Sequence, residues 1–201
     1  MLNFLGKYRI ALSRLFTLAI SFVMIFIQPL FYGSFFYEIL FFLGLIFILI
    51  GIIGRVFSSI YMSDNRHKVI VSSGVYAITR NPLYLFSFIG TLGICLIYGS
   101  LIVLALIIFA YLSYYKVIIQ YEETRLSEKF GKDYIDYLNS GTPRFFPNFK
   151  LWNSPQYLTV NYGVVLKTMI DSSVFLFVAL VIRVLLSLQQ SSVIPTLFSI
   201  L

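Results

Sequence analysis

From Leu83 to Tyr115 the chain runs 33 residues without a charged side chain, broken only at Tyr98, Gly99 and Ser100. As one helix this run would measure about 50 Å, well beyond the roughly 30 Å of bilayer hydrocarbon. A tight helical hairpin turning at Gly99 is therefore predicted, with two somewhat short arms. The rest of the chain has the same character. With 201 residues, 59% apolar and 11% charged, and a mean hydropathy of +0.90, it holds more apolar surface than a soluble domain of this size could enclose. Further spans are predicted at Ile10 to Tyr32, Tyr37 to Tyr61 and 172–188. The fold class expected is all-α: a polytopic transmembrane bundle of about five spans forming one integral membrane domain over 1–201.

The first apolar stretch ends in Pro29, Phe31 and Tyr32 rather than in a small-residue cleavage site, so it reads as a span and not as a cleaved leader. Lys and Arg gather at Lys7, Arg9 and Arg14, at Arg66, Lys68 and Arg80, and at seven positions from Lys116 to Lys167. The connections near Gly33 and Gly99 and the tail after Leu188 carry none. This alternation predicts a multi-pass protein with segments 61–82 and 116–155 in the cytoplasm and the carboxyl terminus outside. The net charge of +7 is spread over these loops, which points to anionic lipid head groups and not to nucleic acid.

Metal and thiol chemistry have few donors to draw on. Cys95 is the single cysteine and His67 the single histidine, so neither an intramolecular disulfide nor a His/Cys metal centre is expected. Glycine-rich phosphate loops and a serine triad are absent as patterns. Arg55, one turn from the end of the second span, can snorkel to the head groups or face inward to a substrate carboxylate or phosphate.

Two stretches are polar beyond what a membrane turn requires. In His67 to Tyr84, Val69, Ile70 and Val71 form a short extended run and Ser72, Ser73 and Gly74 permit a turn. Asn81 and Pro82 then suit the start of a helix. Arg80 at that helix mouth can bind a carboxylate or phosphate bidentately, or anchor to head groups. In Tyr121 to Pro147, Glu122 and Glu123 point to different helix faces, so they are not a proton-sharing pair. One can face the bundle and the other water, against the plainer alternative of pairing with Arg125 and Lys129.

The pieces SGVYAITRNPLYL (Ser73 to Leu85), EETRL (Glu122 to Leu126), FGKDYIDY (Phe130 to Tyr137) and PRFFP (Pro143 to Pro147), in that order across one hairpin, resemble the isoprenylcysteine carboxyl methyltransferase and phospholipid methyltransferase family. The resemblance covers roughly residues 40 to 150. It implies a small helical membrane enzyme that binds S-adenosylmethionine on the cytoplasmic side and takes a lipid-like methyl acceptor from the bilayer. Carried over, the cofactor contacts are Lys68, Val69, Ile70, Val71, Tyr76, Asn81, Pro82, Leu83, Tyr84 and Glu122, with Arg80 and Glu123 as the catalytic candidates. Many relatives have His where this chain has Asn81. The prenylcysteine enzymes place an acceptor-binding Arg where it has Ile118, a role Arg55 or Arg80 could take over. The resemblance favours a lipidic carboxylate acceptor, with a phospholipid amine as the alternative. A different class remains: a small transporter or scaffold, its polar path lined by Arg55, Asp171 and Arg183.

Overall fold

A computed structural model describes residues 24–64 and 69–200. Most of the first predicted span, the basic residues before it, and Arg66, His67 and Lys68 lie outside the described residues. The described chain is all-α apart from a two-stranded parallel ribbon. Its helices are α1 (Phe35–Met62), the short α2 (Val75–Ile78), α3 (Pro82–Tyr98), α4 (Leu101–Phe130), α5 (Lys132–Asn139) and α6 (Tyr162–Gln190). Three of them, α1, α4 and α6, have 28, 30 and 29 residues and are long and apolar enough to cross a membrane, with α3 a shorter apolar helix of 17.

The predicted hairpin forms between α3 and α4. Gly99 makes the turn at φ +83°, a left-handed conformation that a residue with a Cβ adopts only under strain. The arms are unequal, however. α3 spans about 25 Å, whereas α4 runs on unbroken through the charged EETRL stretch, because Glu, Lys, Arg and Leu are all good helix formers.

Three expectations need correction. The first span does not stay helical to Tyr32. Residues Ile27–Pro29 form β1, paired in register with β2 (Phe198–Ile200) as Ile27↔Phe198 and Pro29↔Ile200; Pro29 has no N–H to give a helix interior. The last span is not confined to 172–188. It begins at Tyr162, where Asn161 caps it through Oδ1, accepting from the Val164 N–H at 3.3 Å, and Lys167 and Asp171 ride on its exposed side. Arg55 does not snorkel. Its Nε donates to Ser172 Oγ at 2.8 Å and its Nη1 to Ser87 Oγ, and both serines are buried.

The chain's contacts divide it into two compact units. The first comprises Met1–Ile48, Thr91–Tyr121 and Phe175–Leu201. Here the backbones of α1 and α3 touch: a Cβ on Gly44 would stand 2.6 Å from the Gly93 carbonyl oxygen. Tyr37 donates to the Ile97 carbonyl at 2.9 Å and Tyr98 to the Ile27 carbonyl at 2.7 Å. Arg183 pairs with Glu38 at 3.0 Å and lies over the rings of Phe41, Tyr37 and Tyr32, so this charge is answered inside the unit. The second unit, Leu49–Gly90 with Glu122–Val174, holds both polar motif stretches.

Candidate functional site

The second unit ties two distant loops together. After the turn at Gly74, α2 is wholly buried, and the extended residues that follow meet the chain after α5. Asn148 N–H donates to the Ile78 carbonyl at 2.9 Å and Arg80 N–H to the Pro143 carbonyl at 2.9 Å. Between them, Thr79 Oγ1 donates to the Phe145 carbonyl and Asn81 Nδ2 to the Arg144 carbonyl, each at 2.9 Å. The PRFFP segment is thus a strap laid along residues 78–81, with Phe145 edge-on to Phe88 at 6.0 Å. Asn81 does precede α3, but its amide serves this cross-link. Behind the strap, Tyr137 of α5 donates to the Tyr76 carbonyl at 2.5 Å, and Tyr76 packs with Tyr61, Val75 and Val71.

Glu123 closes the arrangement. Of the two adjacent carboxylates it is the buried one, at 8% exposure, while Glu122 is half-buried. Arg144 grips both Glu123 oxygens, Nε to Oε1 at 3.2 Å and Nη2 to Oε2, and Arg80 Nη2 lies 3.5 Å from Oε1. Glu123 therefore takes its cations from distant segments and not from its own helix; Arg125 is exposed. Arg80 Nε is buried and has no hydrogen-bond partner among the described residues, an unsatisfied buried donor of the kind folded proteins rarely keep.

Tyr134 stands nearly fully buried beside this cluster. Burial pushes its phenol up to about 12, the Glu123 charge adding to the rise while Arg80 and Arg144 oppose it. Burial likewise raises Tyr137. A phenol in the unfolded chain ionises near 10, so above that pH the unfolded state releases its protons first. Stability should be flat below pH ~10 and fall as pH rises toward ~12. Thermal unfolding of the detergent-solubilised protein across this range checks it, with Tyr134→Phe removing part of the fall.

Of the candidate residues, Arg80, Asn81, Pro82, Leu83 and Tyr84 are consecutive, Tyr76 lies four residues before them, and Glu123 is joined to them through Arg80. Glu122 is the preceding residue on α4 and is half-buried. Ile70 and Val71 are half-buried, whereas Val69 is 54% exposed; Lys68 lies outside the described residues. Ile118 is buried as an apolar residue of α4. Arg144, Thr79, Tyr134 and Tyr137 join the site only through the fold. Three of them, Arg144, Tyr134 and Tyr137, lie in the pieces PRFFP and FGKDYIDY that carry the family resemblance.

The described chain is thus a helical protein, three of its helices long and apolar enough to cross a membrane, with a buried charge cluster where a loop meets α4. Residues 34–133 match the phospholipid methyltransferase family, in the isoprenylcysteine carboxyl methyltransferase-like group of membrane methyltransferases. Among curated relatives, it is 28% identical to the cobalt-zinc-cadmium resistance protein CzcN of Cupriavidus metallidurans over 181 residues, 90% of this chain and 83% of that one. It is 25% identical to the nickel-cobalt-cadmium resistance protein NccN of Alcaligenes xylosoxydans xylosoxydans over 194 residues, 96% and 90% of the two chains. No solved structure matches.

Proposed function

We propose that this protein transfers a methyl group from S-adenosylmethionine to a lipid-like acceptor, a carboxylate in the first instance. The observation that carries this reading is the Arg80–Glu123–Arg144 cluster, which joins the RNPLY, EETRL and PRFFP motifs into one site. The residues suit the cofactor's polar end. The buried, unpartnered Arg80 Nε matches a carboxylate, and Glu122 matches an ammonium or ribose hydroxyls. Tyr76, Asn81, Pro82, Leu83 and Tyr84 supply the adjoining contacts, with Lys68, Val69, Ile70 and Val71 at the loop's start. When bound, the cofactor supplies an electrophilic methyl on a sulfonium.

The chain's own part is alignment and exclusion of water. Glu123, with both oxygens held by guanidinium groups, is a positioning residue that fixes Arg80 and not a free base. That favours a carboxylate, which needs no deprotonation, over an amine, which does. The positive loops favour the cytoplasmic side for the site. The relatives' names motivate a second reading, in which the methylation serves metal resistance. That reading takes the resistance to run through the methyl transfer.

Calorimetry with the detergent-purified protein is expected to show S-adenosylmethionine binding in the micromolar range, lost in Glu122→Ala and kept in Arg125→Ala, whose side chain is exposed on the same helix. Equal binding by both variants would sink the assignment of Glu122. In a metal-sensitive host, cobalt tolerance conferred by the wild type and retained by Glu122→Ala would separate any resistance from the cofactor.

A further inference from the structure

Between the strap and α6 the chain presents aromatic side chains where an aqueous loop would present polar ones. Phe146, Phe149 and Tyr157 are 74%, 72% and 83% exposed, and Trp152 and Tyr162 are also exposed. All but Tyr162 lie outside the spanning helices. The contrast with α5 decides what this means. That helix, in the same polar part of the sequence, turns Tyr134 and Tyr137 inward and exposes Lys132, Asp133, Asp136 and Asn139, as a helix in water does. Residues 143–162 contain no Asp or Glu, and Lys150 is exposed among the aromatics.

We propose that residues 146–162 lie in the head-group layer of the bilayer, an interfacial anchor whose partner is the lipid surface itself. Three observations favour lipid over a protein partner. The segment runs directly into Tyr162, the first residue of a helix long and apolar enough to span, so its end lies within a few helical turns of the membrane. Trp152 stacks on Phe57 of α1 at 6.2 Å, and Phe57 is itself exposed on an apolar spanning helix. Amphipathic aromatic rings with a basic side chain and no acidic one match a layer of esters and phosphates, where Trp and Tyr concentrate. The segment also carries the strap's carboxyl end, so the lipid surface would hold one side of the site whatever reaction occurs there.

Trp152 is the single tryptophan, which makes the test direct. In proteoliposomes, lipid brominated high on its acyl chains is expected to quench roughly half of the Trp152 emission, lipid brominated at the chain ends less, and aqueous iodide little. Phe146→Ser/Phe149→Ser, which removes two exposed rings without opening a core, should cut the bromolipid quenching about twofold and admit iodide. Strong iodide quenching with none from bromolipid would put the segment in water and overturn the proposal. Protection from both quenchers, relieved on dilution into excess lipid, would mean that a second copy covers it and would also overturn it. None of these readings depends on cofactor binding, so the anchor and the methyltransferase reading stand or fall separately.

Discussion

Glu123→Ala is expected to lose about 3 kcal/mol of stability and all detectable cofactor binding, a larger loss than any other single change in the Arg80–Glu123–Arg144 cluster. The reason is what it leaves behind. Arg80 is 14% exposed at its side chain and already has a buried Nε without a partner; without Glu123 it becomes an uncompensated charge held out of water. Arg144 is 49% exposed, so its half of the interaction is screened and contributes little to that figure. Arg144→Ala should therefore cost only about 1 kcal/mol, since Glu123 keeps Arg80. Arg144→Lys, which keeps the charge but cannot grip both carboxylate oxygens, should fall between the wild type and Arg144→Ala. Arg80→Ala/Glu123→Ala should be more stable than Glu123→Ala alone, because the stranded charge has gone. Thermal unfolding of the four variants in detergent reads the order. If Glu123→Ala proved no worse than Arg144→Ala, Arg80 would have to reach water on its own, and the cluster would not organise the site.

The same contrast between local and distant partners explains what could be read in the sequence. The hairpin was legible because its signal is local: one glycine between two apolar runs, with a total length that no bilayer accommodates as a single helix. Arg80 and the Glu pair stood out as charges where a membrane turn needs none, although which carboxylate turns inward depends on partners elsewhere in the chain. Arg144 looked like one more loop cation, and only the fold brings it to Glu123, 21 residues earlier. Arg55 sits where snorkelling is the normal use of an arginine, yet its hydroxyl partners are 32 and 117 residues away. β1 was invisible for the same reason, since its partner strand lies at the far end of the chain. The early start of α6 was hidden by Lys167 and Asp171, charges that end an apolar run in a sequence without ending a helix.

The loop that carries Arg80 depends on one residue that no pattern of charge would flag, and Gly74→Ala is expected to collapse it. Gly74 has φ +59° and ψ −126°, a region open to glycine and costing about 1–3 kcal/mol for any other residue. A Cβ there would also stand 2.1 Å from the Tyr61 ring. That ring has nowhere to go. Tyr61 is buried, its hydroxyl meets Ser154 Oγ at 2.9 Å, and it lies edge-on to Phe57 and Trp152. The backbone cannot retreat either, because the Gly74 N–H is bonded to the Asn153 carbonyl. Forcing a methyl into such packing adds about 1–3 kcal/mol, so the two terms together should reach about 4 kcal/mol and unfold the loop. A cycle with Tyr61→Ala separates them. Adding Gly74→Ala to Tyr61→Ala leaves only the backbone strain, so the increment should fall to about 2 kcal/mol. Trp152 emission reports the outcome, since its ring is in contact with Phe57 and Tyr61. An unchanged increment would assign the whole cost to backbone conformation, and a near-zero one to the Tyr61 clash. A Gly74→Ala single variant as stable as the wild type would mean that the turn before Tyr76 is not the one that holds Arg80 over Glu123.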